Sequence, residues 1–177
     1  MITIATKMLP PNISVYWVPI PEGIDNVNAP TAEEINAGTD ISCAITVDNY
    51  TLGWTDRDTD DSRSLCDVDN VENPTSKNVE ADLTFFLDAD FEDNTSVFNE
   101  VMELFRTPLQ PGFLVQRLGK NPNSEPEVAN GDEVTVFQVL SGDPNIENDG
   151  DAPVRMQIRF YPQGLSSDGI VTVGGDS

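Results

Sequence analysis

The sequence predicts a mainly β fold, a β-sandwich or partial barrel of six to eight strands, with one amphipathic helix at about residues 95–105 on its flank. Three observations predict it. Runs of alternating apolar and polar residues recur along the chain, as strands with one buried face require. A single long segment carries apolar residues at helical spacing. The connections are rich in Pro, Gly, Asn and Asp, the residues that turns select.

The elements follow in order. Residues 1–12 read as an N-terminal arm. In 13–18, Ile13, Val15 and Trp17 share one face, and Pro10, Pro11, Pro19 and Pro21 bracket a segment suited to an edge strand. Thr31 with Glu34 three residues on is a capping box that opens a short helical turn, which Gly38 ends. Residues 40–47 alternate again, with Ile41, Cys43, Ile45 and Val47 expected inward. Tyr50, Leu52 and Trp54 either continue this strand or form its partner across a turn at Asp48-Asn49.

Residues 55–77 have no sustained periodicity and form a long acidic loop. Connections beyond about 12–15 residues are uncommon in a compact domain and are usually functional or disordered. Leu65, Cys66, Val68 and Val71 within it are spaced to touch something apolar, which suits a segment that orders against a partner. The clearest strand is 79–87: Val79, Ala81, Leu83, Phe85 and Leu87 form its core face, with Glu80, Asp82, Thr84 and Phe86 opposite. Thr95 or Ser96 caps the helix, whose stripe is Val97, Phe98, Val101, Met102 and Phe105. Arg106 ends it, and Pro108 forbids continuation. Strands at 112–118, 133–140 and 154–161 follow, with a short one at 170–173 and a frayed end from Gly174. Residues 119–130 and 141–152 are turn-rich loops. No repeat interrupts residues 1–177, which read as one domain long enough to bury a core.

Charge bounds the function. Lys and Arg number 9 against 31 Asp and Glu, with no His, for a formal net charge of -22. Such a surface repels nucleic acid and anionic membranes. Without imidazole, the usual base and metal ligand near neutrality is missing, and no nucleophile–base pairing is readable, so the expectation is no enzyme and no cofactor. Cys43 and Cys66 form no metal-binding pattern and are expected as reduced, mostly buried thiols. Nothing reads as a signal peptide or membrane helix, which implies synthesis in a cytoplasm and no membrane partner.

Asp56-Arg-Asp-Thr-Asp-Asp61 alternates oxygens like the start of a calcium loop. Asp61 stands where such a loop needs Gly, however, and Asp67 where it needs Glu, so a solvated loop is the better reading and no metal is assigned. The sequons at Asn12, Asn49 and Asn94 carry no weight without secretion. Glu80, Asp82 and Glu133 project opposite their core faces, as an ordinary wet sheet face would. Arg155 and Arg159 give the opposite signal: they could pair with those acids across strands, or with another copy across a subunit boundary.

The order of parts is similar to a known family. Ile41-Ser-Cys-Ala-Ile-Thr46 runs into the loop with Ser62-Arg-Ser-Leu-Cys-Asp67. Val79-Glu-Ala-Asp-Leu-Thr-Phe-Phe-Leu87, the helix and Val154-Arg-Met-Gln-Ile-Arg-Phe160 follow. The layout resembles the major tail tube proteins of long, non-contractile-tailed bacteriophages. The resemblance implies a structural virion protein forming stacked hexameric rings, one sheet per subunit lining a lumen that conducts phage DNA into the host. It makes Glu80, Asp82 and Glu133 lumen candidates. Asp56, Asp58, Asp60, Asp61, Arg63 and Leu65 become inter-ring contacts, and Arg155 and Arg159 subunit-boundary residues. Expected partners are further copies, the tape measure, tail terminator and tail tip proteins, and double-stranded DNA as a passing cargo. Expected localisation is the virion tail, assembled in the host bacterial cytoplasm. A tail terminator or tail-completion protein, an acidic DNA-mimic inhibitor and a calcium-dependent adhesion module remain alternatives.

Overall fold

Alternation beginning at Ile13 produces β1 (Ile13–Pro19) in the computed structural model, which describes residues 5–174. Most of the N-terminal arm, from residue 5 on, is exposed, while positions 1–4 and the end from residue 175 lie outside the described residues. The chain continues through α1 (Ala32–Asn36), β2 (Thr39–Asp40), β3 (Thr51–Thr55), β4 (Thr59–Asp60), β5 (Asn73–Pro74) and β6 (Asn78–Phe86). It then forms α2 (Val97–Phe105), β7 (Pro111–Leu118), β8 (Glu133–Ser141), β9 (Asn145–Glu147), β10 (Arg155–Ser166) and β11 (Val171–Thr172). The mainly β expectation with one flanking amphipathic helix holds, and the strands form an open, curled sheet rather than a closed barrel.

The main sheet runs β2-β1-β7-β8-β10-β6-β3, with β11 added to β8 and β9 to β10, and all its pairings are antiparallel. β1 is next to the edge: it pairs with β7 from Ile13↔Leu118 to Pro19↔Gly112, while β2 covers only Tyr16 and Trp17. Curling brings distant strands together over the concave core. The ring of Trp17 on β1 lies 5.1 Å from Phe105 of α2 and 6.0 Å from Phe160 of β10, and Trp54 on β3 lies 4.9 Å from Phe137 of β8. Such pairs add about 0.5–1.5 kcal/mol each beyond area burial. α2 closes this core with Val101 and Phe105, both fully buried.

A second core lies on the opposite face, but only beneath β1, β7 and β8. There α1, the 20–30 segment, Val128 of the 119–130 loop and Val173 cover Tyr16, Val18, Phe113, Val115, Val134 and Val136. The expected capping box is present: the Glu34 N–H donates to Thr31 Oγ1 at 3.2 Å, and the Thr31 N–H to Glu34 Oε2 at 2.8 Å. It sets Ile35 into this core, where its side chain is fully buried.

Several expectations fail for local reasons. Residues 40–47 are not a strand. The Asp40 carboxylate accepts the Ser42 N–H (2.9 Å) and hydroxyl, and Ser42–Ala44 turns into a 3-10 helix. That side-chain competition with the ladder buries Ile41 and Ala44 but leaves Cys43 exposed and Val47 75% exposed. Cys66 is exposed as well, so the expected mostly buried thiols are corrected at both positions. Ser96 occupies the N-cap position of α2 without capping it, because its hydroxyl donates to Asp88. Tyr50, Leu52 and Trp54 belong to or adjoin a separate strand, β3, paired with β6. The 141–152 loop contains β9, and β10 runs on past 161 through a bulge to Ser166.

Candidate assembly surfaces

Where the second core ends, no second apolar layer covers the sheet, although Thr84 is buried and the Phe86 ring lies 5.8 Å from Phe98. Beyond the covered part of β8, the same face of β10, β6 and β3 carries polar and charged side chains, since opposite residues in an antiparallel ladder share a face. Glu80 stands opposite Gly53, and Asp82 lies between Thr51 on one side and Arg159 on the other. Gln157 and Arg155 continue the row opposite Thr84 and Phe86. Glu80 and Arg159 are exposed, and the Arg155 side chain is 18% exposed with Asp149 at 3.7 Å. The Arg159 guanidinium sits 5.8 Å from the Tyr161 ring.

The expected acidic trio therefore divides. Glu80 and Asp82 share this face. Glu133 points to the other side with Thr135 and Phe137, at the very start of β8, where its carboxylate accepts the Thr172 hydroxyl at 3.2 Å. Arg159 is the immediate neighbour of Asp82, so the two residues occupy one surface. This is the cross-strand alternative offered for Arg159, and register alone decides which acid it meets.

The 55–77 loop is a built projection. β4 and β5 pair at its base, the Asp58 N–H donates to the Ser76 carbonyl at 3.3 Å, and the Asn78 amide donates to the Asp56 carbonyl and to Asp58 Oδ1. Hydrogen bonds to the Ser62 N–H and hydroxyl hold the Asp60 carboxyl below its usual range, and Asp61 is exposed. At the tip Arg63 Nη1 donates to Asn70 Oδ1 at 3.1 Å, while Leu65 and Val68 stand fully in solvent. Leu65, Cys66 and Val68 are therefore left to solvent, and of the expected apolar anchors Val71 is partly buried in its own subunit. Among the described residues no group of three or more Asp, Glu, Cys or His is arranged to hold a metal, and no helix is long and apolar enough to cross a membrane.

One cluster was missed altogether. Arg117 on β7 is fully buried beside Asp132, with their charged atoms 3.6 Å apart, and Lys120 Nζ reaches Asp132 at 2.7 Å. Arg117 also donates to Ser14 Oγ (2.9 Å) and to the Glu125 and Glu127 carbonyls, and lies 5.6 Å from the Tyr16 ring. It staples the 119–130 loop over the second core. Arg117, next to Gln116 at the end of a mostly apolar strand, was its only trace in the sequence.

A family model described as phage tail tube protein matches residues 1–175. The chain belongs to the phage tail tube protein family. It is therefore a structural tail protein, a component of the virion tail that assembles with other tail components. No curated protein matches the sequence. Among solved structures, a chain in the cryo-EM structure of the anti-feeding prophage baseplate, 6-fold symmetrised, aligns over 100% of both chains with a TM-score of 0.51 and 14% identity. At that identity the likeness speaks to the fold of this tail tube family member alone.

Proposed function

We propose that the chain is a major tail tube subunit: copies close into hexameric rings, the rings stack, and phage DNA passes through the bore during ejection into the host. The observation that carries this is the half-covered sheet. β1, β7 and most of β8 are covered on both faces. The same face of β10, β6 and β3 has no second apolar layer and presents Glu80 and Arg159 to solvent, with Thr84 buried among its neighbours and Phe86 against Phe98. A lone sandwich gains nothing from such asymmetry; a ring that turns that face inward does. The 6-fold symmetry named for the baseplate particle with a similarly folded chain supports a ring of that order.

On this reading Glu80 and Asp82 face the bore. Cationic walls would capture phosphates with counterion release and stall transit. Here Arg155 lies beside Asp149, and Arg159 stands opposite Asp82 in the ladder with its guanidinium against the Tyr161 ring, so Arg159 is an exposed cation of this face without an ion pair among the described residues. Repulsion from Glu80 and the acidic loops acts over the ~8–10 Å Debye length. Glu133, on the other face at a strand end, takes a place at the ring rim. Arg155 and Arg159 serve as internal neutralisers near the subunit boundary. Asp56, Asp58, Asp60, Asp61, Arg63 and Leu65 lie between rings, and the N-terminal arm makes a second contact. The tape measure, terminator and tip proteins are the further partners, with no enzymatic step. Electron microscopy of the purified protein tests this: rings or hollow tubes are expected, and a protein that stays monomeric at high concentration refutes it.

A further inference from the structure

The mouth of the curled sheet holds an apolar groove between the arm and the start of β3. Pro10, Ile13, Val15, Ile45, Val47 and Tyr50 line a space of about 230 Å³. The Tyr50 hydroxyl is buried at this site with no hydrogen-bond partner among the described residues, and burial pushes its pKa well above the usual value. Two carboxylates flank the groove in sequence. Asp40 is bonded to Ser42, itself a lining residue, and the exposed Asp48 follows Val47.

The complementary shape is on the same chain. The tip of the 55–77 loop is braced by the Ser64 N–H to Asp67 Oδ2 (2.6 Å), the Cys66 N–H to Ser64 Oγ (3.2 Å) and the Arg63–Asn70 bond. It presents Leu65 and Val68 at 107% and 93% exposure, and Arg63 forms no ion pair among the described residues. Groove and loop base lie at opposite ends of β3: Tyr50 precedes its first residue and Asp56 follows its last, about 20 Å on at ~3.3 Å per residue. A knob at one end and a hole at the other make a head-to-tail contact, the kind that propagates along a stack when its rotation does not close into a ring.

We infer that the Leu65/Val68 tip of one copy seats in the Ile13–Ile45–Tyr50 groove of a second copy, with Arg63 meeting Asp48 and Asp40. This rests on the tube reading and gives its stacking contact a receptor. Size agrees: an apolar cavity of about 150 Å³ admits benzene, so 230 Å³ accommodates the seven side-chain carbons of one Leu and one Val. Charge agrees too. Arg63 is a cation with no ion pair among the described residues, and Asp48 and Asp40 beside the groove supply the carboxylates it lacks.

The two cysteines supply the test. Cys66 adjoins Leu65 at the tip, and Cys43 adjoins Ser42 at the groove; both are exposed. Assembled full-length protein treated with a short bismaleimide should give a ladder on denaturing gels and a linked Cys43–Cys66 peptide by mass spectrometry. Cys43→Ser or Cys66→Ser should each abolish it. Leu65→Asp should cut stacking and cross-linking at least tenfold with an unchanged circular dichroism spectrum and urea midpoint. Arg63→Asp should do likewise and be rescued by Asp48→Arg. Tubes that form normally with Leu65→Asp, or that link only Cys43 to Cys43 or Cys66 to Cys66, overturn this contact and leave the tube reading standing. Failure of the wild-type chain to assemble overturns both.

Discussion

Replacing Arg117 with Met tests how the outer core is held. The guanidinium is fully buried and makes hydrogen bonds to Ser14 Oγ, the Glu125 carbonyl and the Glu127 carbonyl, with Asp132 3.6 Å away. Met matches the apolar stem but leaves two carbonyls, a hydroxyl and a 5%-exposed carboxylate short of partners. Breaking a buried pair from one side costs about 3–5 kcal/mol, a large part of the ~5–15 kcal/mol that holds a typical domain. At a slope of about 2 kcal/mol/M, the urea midpoint of the unassembled protein should fall by roughly 1.5–2.5 M. Adding Asp132→Asn should recover part of the loss, because it removes the stranded charge. Lys120→Met, at a site one-third exposed, should cost far less. A shift below about 0.5 M for Arg117→Met, with the slope unchanged, would refute the staple.

Other outcomes follow from the same packing. Burial pushes the Asp132 carboxyl up, yet the Ala129 N–H, Lys120 and Arg117 outweigh it and hold it below the usual range. Its contribution is therefore fully present above the unfolded value of ~3.9 and lost as pH falls through the folded value. Asp132→Asn should lower Tm at pH 7 and flatten its fall below about pH 4, as a series of melts from neutral to strongly acid would record. Phe105→Ala removes a fully buried ring stacked on Phe85 and met edge-on by Trp17 and Phe160. It should cost about 3–5 kcal/mol, read by urea titration with red-shifted tryptophan emission. A Cβ on Gly142 would lie 2.3 Å from the Arg159 carbonyl oxygen, whereas one on Gly53 meets nothing within 4 Å. Gly142→Ala should lose about 1–3 kcal/mol and Gly53→Ala should be tolerated, as paired thermal melts would show.

Much of the fold is written in local pattern. The 79–87 alternation buries Ala81, Leu83 and Phe85, the stripe from Val97 to Phe105 buries Val101 and Phe105 with Val97, Phe98 and Met102 partly covered, and the Thr31–Glu34 box sets Ile35 inward, because each depends on neighbours in sequence. Pattern misled at 40–47, where the apolar alternation is real but Asp40 and Ser42 bend the backbone out of the ladder. It was silent where both sides of a strand are covered, as at Tyr16 and Trp17 of β1. The candidate surface was legible only strand by strand. Glu80 and Asp82 were correctly put on one face; that Glu133 looks the other way and Arg159 adjoins Asp82 follows from strand pairing alone. Leu65 and Val68 read as anchors seeking a partner, and their exposure is consistent with one outside the subunit.

The central claim is that many copies of the β10–β6–β3 face form a bore whose wall carries more carboxylate than cation. A side-chain-resolution reconstruction of the assembled particle measures this directly. The account predicts a continuous lumen with Glu80 and Asp82 on its wall and carboxylates outnumbering cations along it. A bore lined chiefly by lysine and arginine, or a solid filament with those strands buried between subunits, would contradict it.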